Sequence, residues 1–503
     1  MTGRSTSTEK WGCFEIRLKG KTEKNPFTDV FLGCEFSCGT HTIAVNGFYD
    51  GDDTYIVRFM PEWEGIWRYR TKSNVKELSD LEGTFECVPP TGENRGPVRV
   101  YDGTNFSYAD GTPYYPVGTT CYVWNHQGER LEEQTLKTLR SAPFNKMRMC
   151  VFPKRYRYNY NEPECYPFEG HITGEWNMSM RDNYTQKPLA EWNYERFSPA
   201  YFRHLEKRVL DLQKLGIEAD IILFHGYDFG AWGFDKMPRG VNERYLRYIV
   251  ARLSAFRNVW WSFANEYDLM PAITMEDWHD FFKLVRDYDP YGHLRSIHNC
   301  RAFYDHSLPW VTHCSIQSSE LDMVDTWVNR YWKPVVIDEC GYEGDIEMSW
   351  GDLTAEELVH RFWTGFSRGG YVGHGETYLN PEEVLWWSKG GTLHGKSPER
   401  IAFLRRIFEE SELYGLKPIS TRDRSFLQGG CDGISHHRND YYLIYLGHRQ
   451  PSKRYFDLGS DAFKVDIIDT WNMTIEAAGR FSGKCEVPLP RKPRIALRLV
   501  REK

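Results

Sequence analysis

The chain has 503 residues, too many for one compact core, so two or three domains are expected. Its 41% hydrophobic and 26% charged residues are ordinary for a globular protein, and a net charge of −7 excludes the basic field that nucleic acid requires. The 18 Trp, 31 Tyr and 29 Phe are unusual: large cores and sandwich strands account for most, and the remainder suits flat apolar ligands such as sugar rings.

The first ten residues are polar, with neither the apolar core nor the small-residue cleavage site of a secretory signal. No apolar run approaches the ~20 residues that cross a bilayer, so a cytoplasmic protein with no membrane partner is expected. The 12 Cys are dispersed without a C-x-x-C pair, which fits reduced, buried thiols. Cys34 and Cys38 lack a second ligand pair, so zinc is not expected there.

From about Trp11 to Val98, short alternating runs such as Thr54-Tyr-Ile-Val-Arg-Phe59 are punctuated by Gly, Asn, Asp and Pro. This predicts an Ig-like β-sandwich over residues 1–96. Pro89-Pro90 and Gly96-Pro97 mark the linker, after which the period changes. Strands are predicted at Pro116–Thr120, Lys146–Phe152, Ile221–Phe224, Trp260–Ala264, Leu294–Ile297, Val311–Ile316, Val335–Ile337 and Tyr371–Gly375. Helices separate them, with Ser198-Pro199 and Thr354-Ala-Glu-Glu357 as start signals. The helix between the fifth and sixth strands is the one gap. Eight repeats over residues 97–410 predict a (β/α)8 TIM barrel. The alternation returns to β over residues 411–503, read as a second sandwich. The fold class is therefore multidomain α/β, a barrel flanked by two β-sandwich domains. Pro153 to Arg196, 44 residues rich in Tyr, Trp and Asn, is far longer than an ordinary loop and is expected to wall or lid the barrel mouth.

Two barrel strands turn abruptly from apolar to acidic: Val259-Trp-Trp-Ser-Phe-Ala-Asn-Glu266 and Pro334-Val-Val-Ile-Asp-Glu339. A barrel presents reactive groups at its C-terminal strand ends. Glycoside cleavage needs one protonated and one ionised carboxyl across the bond. Glu266 and Glu339, on the fourth and seventh strands, are the candidate catalytic pair, with Asn265 placed to meet a sugar hydroxyl. Alternation turns either Asp338 or its neighbour Glu339 away from the mouth, and Glu339 is favoured as the reactive one.

The Asn265-Glu266 pair and the Pro334–Gly341 segment resemble the catalytic strand ends of clan A glycoside hydrolases. The wider layout, with Gly373-His-Gly-Glu376 on the eighth strand, resembles bacterial relatives of the apiosidases. The resemblance implies a retaining mechanism with Glu266 as acid/base and Glu339 as nucleophile. It implies that Arg148 supports the nucleophile and that His225, His298, His374, Glu376 and Trp387 bind substrate; Trp124 and Tyr122, at the first strand, fit core and substrate subsite equally. The tyrosine that the clan commonly places after strand six is missing, so either His313 or Gln317 substitutes or the subsite is remodelled.

The expected activity is thus exo-acting hydrolysis of a β-type glycosidic bond in a small oligosaccharide or plant glycoside, with no cofactor and no catalytic metal. Two alternatives stand beside it. One is a metal-dependent hydrolase built on His225, Asp228, His298, His374 and Glu376; the other is a noncatalytic carbohydrate-binding barrel. Three domains and exposed aromatics make a homo-oligomer plausible.

Overall fold

A computed structural model describes residues 7–22, 24–175, 188–411, 416–419, 432–435 and 440–502. At its centre are eight parallel strands, β1 Gly118–Thr120, β2 Lys146–Cys150, β3 Glu218–His225, β4 Val259–Asn265, β5 Arg295–Ser296, β6 Cys314–Gln317, β7 Val335–Glu339 and β8 Tyr371–His374. Their order is β5-β4-β3-β2-β1-β8-β7-β6, and a bridge between His298 and Ser315 closes the ring. Each is nearly all buried on both sides, which is why β4 and β7 open as continuous apolar runs rather than alternating ones.

The barrel helices are α1 Glu129–Leu139, α2 Pro199–Lys214, α3 Arg239–Leu253, α4 Met275–Tyr288, α5 Val324–Tyr331, α6 Ala355–Phe366, the short α7 Trp386–Lys389, and α8 Ser397–Glu410. Pro199 starts α2, and Thr274 caps α4 through a reciprocal box with Asp277. No helix lies between β5 and β6, as the sequence pattern indicated.

The N-terminal strands form a five-stranded and a three-stranded sheet, with Phe14 stacked on Phe85 at 3.9 Å and Phe36 on Phe59 at 4.1 Å between them. This sandwich is joined to the barrel by a buried ion network. Arg58 reaches Glu206 of α2 at 2.8 Å, and Arg252 of α3 pairs with Glu206 at 2.5 Å and with Asp50 at 2.8 Å. A three-stranded sheet, Val98–Tyr101, Asn105–Tyr108 and Pro113–Tyr114, closes the N-terminal end of the barrel, where Phe106 packs on Trp260 and Tyr371.

The C-terminal segment departs from the expected two layers. Among the described residues it is one six-stranded sheet carrying a long hairpin, Lys453–Asp469 with Thr474–Pro488. The hairpin is bulged at two points, and Phe456 and Val487 from its outer half share an apolar cluster with Ile444 and Leu497. One curled sheet thereby encloses a core that a sandwich would place between two. No helix among the described residues is long and apolar enough to cross a membrane.

Candidate active site

Inside the barrel, below the C-terminal rim, lies a charged layer instead of the usual branched aliphatics. Lys146 Nζ sits 2.5 Å from Asp220 and 2.7 Å from Asp338, and Ser315 Oγ donates to Asp338 at 2.5 Å. Lys146 and Arg148 both point inward because they are two apart on β2. Together they hold Asp338 well below the usual carboxylate range.

Strict alternation would then turn Glu339 outward. It does not, because the pairing of β6 with β7 slips by one residue: Ile316 faces Ile337, but Gln317 faces Glu339. This bulge directs two successive carboxylates toward the axis, Asp338 into the charged layer and Glu339 above it. Arg148 donates to Glu339 Oε1 at 3.1 Å and to Asn265 Oδ1 at 2.8 Å. The hydroxyl of Tyr122, just after β1, donates to the same carboxylate and lies 3.1 Å from the same amide oxygen. Burial pushes Glu339 up to about 8, opposed by the Tyr342 hydroxyl; the Arg148 guanidinium also favours the anion.

Glu266 occupies the left-handed region, φ 52° and ψ 60°, at the end of β4. For a non-glycine residue this is strained by about 1–3 kcal/mol, and it lifts the side chain off the strand into the mouth. Its carboxyl is raised chiefly by burial, with hydrogen bonds from Cys300 and Gln317 and the charge of Lys154 acting the other way. Glu339 is not among the main causes of that shift. Asp268 holds the Cys300 loop in place by accepting from the amides of Cys300, Arg301 and Ala302 at 2.6, 2.8 and 2.9 Å.

Lys154, two residues past Phe152 in the long insertion, completes the mouth. Its ammonium lies 3.9 Å from the ring centre of Tyr122, 4.3 Å from Trp387, 4.6 Å from Tyr227 and 5.0 Å from Tyr156. Burial pushes it down to about 7. The insertion is pinned across the rim, with Tyr158 donating to Glu347 at 2.5 Å and Arg157 at 3.0 Å. Its described part includes a hairpin, Phe168–Ile172 with Ala190–Phe197. A cleft of about 1000 Å³ opens at the opposite end of the barrel among Asn145, Glu218, Arg257 and Arg405. At the carboxylate end Glu266 is only 7% exposed.

Several expected site residues lie elsewhere. Trp124 belongs to the core, fully buried in a 3-10 turn with Arg208 over its ring. His225 is committed to the backbone, Nε2 to Phe152 O at 3.1 Å and Nδ1 accepting from Tyr227 N at 3.1 Å. His298 is buried close to Arg148 and Asp338, with no hydrogen-bond partner on its ring. His374 and Glu376 sit together, but with Glu343 rather than with Glu266 and Glu339. Asp228 accepts from Gly230, Trp232 and Gly233 amides, so the five residues of the metal-hydrolase alternative do not converge. His313 is buried beside Phe106 and Trp260 at the closed end, and Gln317 meets Glu266, so neither replaces the missing strand-six tyrosine. Tyr122 and Tyr342 face Glu339 instead. Trp387 is at the mouth as expected, edge-on to Tyr122 with ring centres 6.0 Å apart.

A closed parallel barrel with acidic residues at the ends of β4 and β7, an arginine on β2 and an asparagine before the first acid defines a glycoside hydrolase of clan A type. The comparisons agree and narrow the class. Residues 101–411 match the family "Apiosidase-like, catalytic domain", and the chain belongs to that family. Two further matches, residues 7–74 and 431–500, are to domains of unknown function, DUF5060 and DUF5605. A crystal structure from Bacteroides vulgatus ATCC 8482, of a protein assigned as a glycoside hydrolase, is 40% identical with TM-score 0.89, covering 99% of this chain and 100% of that one. A family 5 glycoside hydrolase from the same organism shares the fold at 16% identity and TM-score 0.59, over 81% of this chain and 94% of that one. None of the curated proteins matches.

Proposed function

We propose that the chain is a retaining, exo-acting glycosidase that cleaves a β-type bond in a small oligosaccharide or plant glycoside. The observation that carries this reading is the shared hydrogen bonding of Asn265 and Glu339. Arg148 and Tyr122 each touch both, which ties the ends of β4 and β7 into one constellation. Glu266, raised by burial, starts protonated and gives its proton to the glycosidic oxygen as the C1–O bond breaks. Glu339 forms the ester with C1, and Arg148 and Tyr122 stabilise its anion and fix the attacking oxygen. Glu266, now ionised, takes a proton from water, which attacks C1 and releases Glu339. Exo action is supported by the insertion pinned to Glu347, which walls one side of the mouth.

The test is a screen of aryl β-glycosides (glucoside, galactoside, xyloside, apioside and arabinoside). Product anomers of the best substrate are followed by NMR. Retained configuration is expected; first-formed product of inverted configuration would exclude Glu339 as nucleophile. Glu266→Ala should lower turnover of substrates with poor leaving groups by about 10²–10⁴-fold. Azide should restore turnover in that variant and give a glycosyl azide of retained configuration.

A further inference from the structure

One cluster beside the site is not absorbed by this chemistry. Glu343, in the segment after β7, and Glu376, just past β8, are direct neighbours in a short parallel pairing, Glu343 with Glu376 and Gly344 with Thr377. Their carboxylates turn toward the start of α8. Glu376 accepts from His394 N at 2.6 Å and Gly395 N at 2.8 Å. Glu343 accepts from Lys396 N at 2.8 Å, Ser397 N at 3.0 Å and the Tyr378 hydroxyl at 3.0 Å. Both glutamates are at most 1% exposed. Gly395 is the only residue type that fits between them: a Cβ there would lie 2.4 Å from Glu343 Oε2 and 2.7 Å from Glu376 Oε2.

Five donors face two carboxylates that lie side by side out of solvent, where like charges repel. Among the described residues no lysine or arginine side chain pairs with either. The third member is His374. It is fully buried, and its Nε2 has no hydrogen-bond partner. One ligand atom from each of His374, Glu343 and Glu376 lies within 4.8 Å of the others. Among the described residues neither ring nitrogen hydrogen-bonds to a carboxylate, yet the imidazole is close enough to share an ion with both. Its other nitrogen, Nδ1, is 3.0 Å from Thr119 Oγ1, which also accepts from Trp386 Nε1 at 2.8 Å. Such an anchored far nitrogen is the usual support of a histidine ligand.

We propose that Glu343, His374 and Glu376 bind one divalent transition-metal cation of the zinc or manganese class, as a structural ion and not a reactant. One imidazole with two carboxylates suits those ions, whereas calcium and magnesium prefer oxygen alone. The ion would tie the segment after β7, the end of β8 and the start of α8 together. It would also fix Tyr342, whose ring lies against Gly375 between two of the ligating positions and whose hydroxyl faces Glu339.

The full chain, purified without an affinity tag that binds metal and without added metal, is analysed by inductively coupled plasma mass spectrometry. It is then stripped with a chelator and titrated with Zn²⁺, Mn²⁺ and, as a spectroscopic probe, Co²⁺. About one ion per chain is expected, with a higher melting temperature on reloading and cobalt d–d bands of nitrogen–oxygen ligation. His374→Gln should weaken binding at least tenfold. Should that variant fail to fold, the cobalt spectrum of the wild-type chain decides alone. No binding of any of the three ions by the stripped wild-type chain, or equal binding by folded His374→Gln, overturns the proposal.

Discussion

Glu266, Glu339 and Lys154 set the charge balance at the mouth, and their titrations make the pH profile a sharp test. In the proposed reaction Glu339 must be ionised to attack, so activity should grow as pH rises through its pKa, pushed by burial to about 8. Glu266 must be protonated, so activity falls as pH rises through its own raised pKa. The plot of kcat/KM against pH should therefore be a bell whose acid limb lies above the 4.5 of an ordinary glutamate, since both carboxyls are raised. An acid limb near that ordinary value would mean that Arg148 and Tyr122 outweigh burial. Lys154 acts on the partner acid, because its positive charge lowers Glu266 while the ammonium survives, below about pH 7. Lys154→Met should make Glu266 hold its proton to higher pH, seen directly in the carbon-13 titration of the labelled carboxyl. Lys154 was invisible as a site residue in the sequence, since one lysine in a long loop carries no period. Only the closing of four aromatic rings around it marks its role.

At the level of elements, the barrel was legible because its strands are buried on both faces and its helices carry ordinary start signals. The acids were legible as well, since polar residues that end an apolar strand fall at the rim. What escaped were features that depend on pairing. The bulge opposite Gln317 arises from the register of two strands 18 residues apart in sequence, counted from Gln317 to Val335, and no local pattern announces it. Tyr122 reaches Glu339 because β1 and β7 both flank β8 in the ring. Trp124 shows the opposite error: an aromatic residue near a strand end resembles a sugar platform, but the turn after β1 rotates it into the core. The position of Tyr342 can be tested through the backbone that supports it. A Cβ at Gly375 would come within 2.1 Å of the Tyr342 ring. Gly375→Ala should displace that ring and destabilise the fold by about 1–3 kcal/mol, measured by urea unfolding. The loss of kcat should exceed what reduced stability explains at a temperature where the variant is fully folded.

For the molecule as a whole, the sandwich and the barrel are joined by charge as much as by apolar contact. Arg58, Asp50, Glu206 and Arg252 form an alternating chain across the boundary, nearly all of it out of solvent. Arg252→Ala removes the cation shared by Asp50 and Glu206, which keep Arg203 and Arg58 as partners, a change of about 1.5–3 kcal/mol. Thermal melts should record it as a fall in stability of sandwich and barrel together, not as a separate early transition. The same boundary limits how this architecture can vary. A barrel released by cutting after Gly96 would carry a guanidinium and a carboxylate from α3 and α2 onto a newly bared face, stripped of the partners that Asp50 and Arg58 supplied. The N-terminal layer is consequently no detachable accessory that descent could add or discard in one step: any lineage that lost it would first have to rewrite the outer surface of two barrel helices.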